Sequence, residues 1–199
     1  MMRTFVAAAL AVLVFPVANA RADEWMVGPG IAYVSNVNHV LDIYKNDTRA
    51  QGKTVDVSKA IPLGVSFAAD YQSHTGLRIG LGLGPYFKLS GDVKHFELPL
   101  SGTLGYMLMP AGQMSPYVKG GVVYHVASGD FFESSTPGLL VAGGVDFARR
   151  SKISAAAEVS FDTSKIELDI LCAPGQVSCT PGTEKFRSYE TVVSFYVKF

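Results

Sequence analysis

The stretch Thr191-Val-Val-Ser-Phe-Tyr-Val-Lys-Phe199 alternates strictly in steps of two and stops on an aromatic. Thr191, Val193, Phe195, Val197 and Phe199 share one face of a strand, and Val192, Ser194, Tyr196 and Lys198 share the other. An apolar strand face ending on an exposed phenylalanine is a liability in water. It is stable where that face meets lipid. The rest of the chain is therefore expected to be built from the same kind of strand.

The same alternation recurs about every 15–20 residues, the spacing of barrel strands. Strands are expected near 24–35, 60–71, 77–89, 96–109, 116–127 and 138–148, from about 153, and from about 187. The clearest sets Leu77, Ile79, Leu81, Leu83, Phe87 and Leu89 against Arg78, Gly80, Gly82, Gly84, Tyr86 and Lys88. The fold class is thus all-β: an eight-stranded antiparallel up-and-down transmembrane β-barrel. Short polar turns at 72–76, 110–115 and 149–152 alternate with links at 36–59, 91–95, 129–137 and 169–186. Outer-membrane barrels have short periplasmic turns and longer external loops, which puts both termini in the periplasm. In that orientation Trp25, Tyr71, Phe147 and Phe199 fall at the periplasmic rim. Tyr33, Phe87, Phe96, Tyr124, Phe161 and Tyr189 fall at the outer rim, giving two aromatic girdles. Val37, Val40, Leu41 and Tyr44 have helical spacing, so the first long loop is expected to hold a helix or to continue strand one.

Residues 1–20 have the layout of a removed export signal: Arg3, an apolar run from Phe5 to Val14, and the small-residue site Ala18-Asn-Ala20. Residues 21–199 are then one barrel domain, exported to the periplasm and inserted into the bacterial outer membrane. No later segment has the ~20 consecutive apolar residues of a membrane helix, although 48% of the chain is hydrophobic and only 17% charged. The formal net charge of zero implies no nucleic-acid partner. Cys172 and Cys179 flank a short loop, and in an oxidising compartment they are expected to form a disulfide.

An eight-stranded barrel has an interior just wide enough for side chains to fill it. Asp70, Glu97, Asp146, Glu158, Asp162 and Glu190 are expected to point inward. So are Arg78, Lys88, Lys119 and Lys198, with His125 able to join them. This near balance predicts a self-paired polar network, because buried charges need partners. Gly80-Leu-Gly-Leu-Gly84 lies mid-strand with no helix after it, so it reads as small lumen residues and not as a phosphate loop. His39, His74, His95 and His125 are scattered without metal-ligand spacing, so neither metal nor cofactor is expected. Acyl-chain chemistry would need a serine beside a histidine oriented by a carboxylate. His125, Glu158, Ser160 and Asp162 are near enough to state that idea, but no catalytic residue is assigned.

The leader ending Ala18-Asn-Ala20, the eight alternating segments, and Val193-Ser-Phe-Tyr-Val-Lys-Phe199 together resemble the small outer-membrane barrels of the OmpA, OmpX and OmpW type. Ser115-Pro-Tyr-Val-Lys-Gly-Gly121 also looks like a segment common in such barrels. The resemblance implies a monomer in outer-membrane lipid whose last strand is read by the barrel-assembly machinery. It implies a structural or surface-interaction role with a closed, salt-bridged polar lumen. A lipid A-modifying enzyme, or a narrow OmpW-like conduit for small hydrophobic solutes, are the alternatives. Lipid A deacylases of this architecture carry a His-x-Ser pair on a late strand. The matching stretch here, Val159-Ser-Phe-Asp-Thr-Ser-Lys-Ile166, has no histidine.

Overall fold

The computed structural model describes residues 24–35, 42, 63–89, 94–148, 151–171, 182–187 and 190–199. Its strands are β1 (Glu24–Val34), β2 (Leu63–Gln72), β3 (Leu77–Leu83), β4 (Phe87–Leu89), β5 (His95–Met107) and β6 (Ser115–Gly129). They continue as β7 (Phe132–Thr136), β8 (Gly138–Phe147), β9 (Ser154–Asp162), β10 (Lys165–Ile170), β11 (Gly182–Phe186) and β12 (Thr191–Lys198). Nine of them form one sheet in the order β3-β2-β1-β12-β9-β8-β6-β5-β4, and β3 also pairs with β5. Since β3 and β4 both lie along β5, they are two halves of one wall strand. The sheet therefore closes on itself as an eight-stranded antiparallel barrel.

Alternation decides which side each residue takes. Along β1, Met26, Ala32 and Val34 are buried while Trp25, Val27, Ile31 and Tyr33 are exposed. On β12, Ser194 and Lys198 are buried and Phe195, Val197 and Phe199 are exposed. The exterior is a continuous apolar surface and the interior carries the charges, the reverse of a water-soluble barrel. No helix among the described residues is long and apolar enough to cross a membrane.

The short turns have local causes. Between β2 and β3, Ser73 N–H donates to Leu77 O at 2.8 Å, and Thr75 N–H donates to Ser73 Oγ at 3.0 Å. Gly76 completes the turn at φ +99°, a conformation that side chains with a Cβ rarely adopt. At this rim the Trp25 and Tyr71 rings lie 5.6 Å apart. Phe199 and Val27 exchange backbone hydrogen bonds beside them. At the other end Tyr86 meets Phe96 edge-on at 5.3 Å.

Two external links hold more structure than their composition suggested. The link 129–137 contains β7, and the link from β9 to β12 contains β10 and β11. These strands form a separate three-stranded sheet, β11-β10-β7. Its inward side buries Ile166, Leu168 and Phe186. Apart from Asp42, the segment 37–44 falls outside the described residues, as do residues 1–23, Cys172, Cys179 and Tyr189.

Candidate functional site

The lumen is crossed by three tiers of charged contacts. The inner tier, nearest the short turns, joins four wall strands. Arg78 on β3 donates through Nη2 to Asp70 Oδ2 at 2.8 Å and through Nε to Asp70 Oδ1 at 3.2 Å. Its Nη1 donates to Asp146 Oδ2, from β8, at 2.7 Å. Lys198 of β12 donates to Asp70 Oδ2 at 2.6 Å and reaches Asp146 Oδ1 at 3.5 Å. Gln72 adds a hydrogen bond to Asp146 Oδ2 at 3.2 Å. The guanidinium lies 3.8 Å from the centre of the Tyr117 ring. All four charged residues are at most 1% exposed, so every charge is matched within the cluster.

Glycine makes the room for this. A Cβ on Gly80 would sit 2.7 Å from Asp70 Oδ1 and 2.6 Å from Thr103 Oγ1. One on Gly144 would sit 2.5 Å from the Tyr117 hydroxyl. These lumen-facing glycines are the counterpart of large polar side chains opposite.

In the middle tier Lys119 Nζ lies 2.7 Å from Glu158 Oε2, and Tyr117 OH donates to the same oxygen at 2.8 Å. The outer tier joins β5, β6 and β9. His125 contacts Glu97 Oε1 through Nδ1, and Nε2 lies 2.6 Å from Asp162 Oδ2. His95 Nε2 lies 3.4 Å from Glu97 Oε2. Ser164 N–H donates to Asp162 Oδ1 at 2.7 Å. Between the middle and outer tiers is a cavity of about 40 Å³, bordered by Ser101, Lys119, Glu158, Ser160, Asp162 and Tyr196. That is room for a few waters at most.

Of the residues assigned to the lumen from sequence, Asp70, Arg78, Glu97, Lys119, His125, Asp146, Glu158, Asp162 and Lys198 lie in these tiers. Glu190 does not. It is exposed on the bend before β12, where its carbonyl accepts the Asp162 N–H at 3.2 Å. The alternation of β12 was extended too far toward the N-terminus, past the residue where pairing starts. Lys88 lies on β4, and its side chain is outside what the structure describes. Trp25 and Phe199 are well exposed at the rim, and Tyr71 and Phe147 are half-buried there. His95, Gln72 and Tyr117 were missed as members of the network. His95 was findable: it stands two residues before Glu97, hence on the same strand face. Both ring nitrogens of His125 face carboxylates, so in this arrangement neither serves Ser160 as a base.

Outside the barrel, Ser134, Glu167 and Lys185 link β7, β10 and β11 side by side. The Lys185 ammonium and the Ser134 hydroxyl hold the Glu167 carboxyl below the usual carboxylate range. The pair is solvent-exposed and adds little stability.

A closed eight-stranded wall, an apolar exterior with aromatic rims and a filled polar lumen define the small outer-membrane β-barrels as a class. Solved structures match this chain along nearly its whole length. OprG, an outer membrane protein from Pseudomonas aeruginosa, is 16% identical; the match covers 91% of this chain and 98% of that one at a TM-score of 0.58. Neisserial surface protein A is 17% identical, with 90% and 100% covered, at 0.46. The outer membrane protein AlkL is 14% identical, with 93% and 92% covered, at 0.44. No family model and no curated protein matches the chain.

Proposed function

We propose that this chain is an outer-membrane barrel with a closed lumen and a structural or surface-interaction role, presented through its external sheet. The inner tier carries the reading. Arg78, Lys198, Asp70 and Asp146 meet across the barrel from four strands, with no room left between them for a hydrated ion. The three-stranded sheet beyond the rim is the part offered to partners. Export belongs to the same proposal: residues 1–20 are removed, residues 21–199 insert as a monomer through the barrel-assembly machinery, and Cys172 bridges Cys179.

Purified protein in a planar bilayer should show no stepwise conductance. It should fractionate with the outer membrane and run faster on gels unheated than boiled. A steady open conductance would sink the closed-lumen reading, and recovery in the soluble periplasm would sink the barrel's placement. The disulfide fails if both thiols of the exported, non-reduced protein react with an alkylating reagent.

One observation favours a second reading, a narrow conduit for small apolar solutes. The wall is interrupted between β3 and β4. There Gly84 N–H donates to Pro99 O at 2.8 Å, Tyr86 N–H donates to Val65 O at 2.9 Å, and Pro85 has no N–H to give. The lumen cavity borders Gly84, Pro85 and Pro99 at this same break. A solute leaving there would enter lipid sideways and never pass the inner tier. Vesicle uptake of a small hydrocarbon faster than in protein-free vesicles would replace the surface reading with this one.

A further inference from the structure

The apolar exterior is not uniform. A groove of about 700 Å³ crosses it where β8, β9, β12, β1 and β2 lie side by side. Its floor is Ala155 and Ala157, neighbours on the outward face of β9, where the larger Val159 and Phe161 follow. Phe147, Phe195, Ile31 and Val65 stand around them. Register sets the direction of the groove. Phe147 pairs with Ala155, Ala157 with Phe195, Phe195 with Ile31, and Ile31 with Val65. Phe147 and Ala155 lie where β8 and β9 meet their shared short turn, whereas Val65 lies near the opposite end of β2. The groove therefore runs obliquely, from the rim at that turn toward the other half of the wall. On its way it crosses β12 and β1, the pair in which the last strand meets the first.

Charge is concentrated at the mouth of this groove. Phe147 and Ala155 bracket a turn whose sequence, Arg149-Arg-Ser-Lys152, holds three cations and no acid. The other short turns, 72–76 and 110–115, contain no Asp, Glu, Lys or Arg. Ser151 closes the basic turn, its N–H and its hydroxyl donating to Ala148 O at 2.9 and 2.6 Å. Lys152 follows it, exposed and without an ion pair among the described residues. The exterior has a second apolar groove of about 700 Å³, between Phe67, Leu81, Leu100 and Val122. It lies along β2, β3, β5 and β6, whose short turns are the two uncharged ones.

We infer that the groove over Ala155 and Ala157 holds one acyl chain of an anionic glycerophospholipid, whose headgroup rests on Lys152. The lipid belongs to the leaflet that meets the short turns. Shape and charge act on different parts of it. The small floor lets a chain lie below the level of the surrounding side chains and touch protein on several sides, so its dispersion contacts exceed those of a chain on a smooth wall. The Lys152 stem can follow the apolar surface while its ammonium stays at headgroup level. There it attracts net negative charge, which a zwitterionic headgroup does not offer. A chain seated in this way lies across the closing pair β12 and β1 and presses on both. The inference rests on the exterior facing lipid, and is independent of how the lumen or the external sheet is used.

The experiment counts bound lipid by native mass spectrometry. The full-length barrel, folded and delipidated in detergent, is titrated with phosphatidylglycerol or with phosphatidylcholine of the same chains. Heat-dependent gel mobility establishes that each variant is folded; a wild type without it would overturn the barrel, and the groove with it. The folded wild type should retain a single phosphatidylglycerol and bind it about fivefold more tightly than phosphatidylcholine. Lys152→Gln should lose that preference and keep the weaker phosphatidylcholine binding. Ala157→Trp fills the floor and should weaken both lipids at least about tenfold, since the chain loses its contacts there. Gly102→Trp is the control, on the outward face of the second groove, where an added Cβ meets nothing within 4 Å. It should bind as the wild type does. Equal binding of the two lipids by the folded wild type overturns the inference. So does a preference that survives Lys152→Gln, wild-type binding by Ala157→Trp, or a loss in Gly102→Trp as large as that in Ala157→Trp.

Discussion

Replacing Arg78 with methionine should destabilise the barrel by about 3–5 kcal/mol, the usual result of removing one partner from a buried ion cluster. The guanidinium serves both carboxylates of the inner tier, Asp70 at 2.8 Å and Asp146 at 2.7 Å. Methionine has similar length and fills the space against the Tyr117 ring, so the loss is one of charge more than of packing. Lys198 would be left facing two carboxylates in a site from which water is excluded. Adding Asp70→Asn in the same chain should restore a large part of the loss, because Lys198 and Asp146 then balance each other. Urea unfolding in vesicles, read by gel mobility, measures both effects. A single variant within about 1 kcal/mol of wild type would mean water reaches this cluster and screens it. A double variant no better than the single one would mean that Arg78 acts by packing alone.

Much of this arrangement was legible because a barrel strand has a period of two and one apolar side. Once lipid was assigned to the side of Phe195 and Phe199, Lys198 had to point inward, and so did Asp70 and Arg78 by the same rule on β2 and β3. Pairing was not legible. Arg78 and Asp146 lie on strands far apart in the sheet order, and they meet only because the sheet curls into a barrel. His95 was read as part of a loop, since strand ends are where alternation is weakest, although its spacing from Glu97 was already that of one strand face. A polar cluster made of His-x-Glu on one strand and a histidine on the next has no signature along the chain until register is known. The external sheet was hidden for a different reason. Its strands β7, β10 and β11 are five or six residues long, and β7 is rich in serine and threonine. Such segments pass for loop until a partner pairs with them.

Leu81→Arg should cost about 2–4 kcal/mol, while Leu108→Arg should cost about 0–1 kcal/mol. Both leucines are equally exposed, at 63% and 62%. They differ only in depth. Leu81 stands mid-wall on β3, between Ala69 of β2 and Gly102 of β5. Leu108 follows the end of β5 at the rim of the short turns, where its N–H donates to Pro116 O at 2.8 Å. At the rim an arginine reaches water with its own length, whereas at mid-wall the guanidinium must be dragged into hydrocarbon or pull water to itself. Unfolding of the two variants from bilayers of one thickness isolates that difference, because side-chain volume, charge and exposure are matched. In water both substitutions would fall within about 0.5 kcal/mol of neutral, as exposed changes ordinarily do. Equal small costs at both positions would therefore mean that the apolar exterior does not face lipid. The charged interior would then have no reason to be sealed, since an inside-out barrel is stable only while its outside is kept from water.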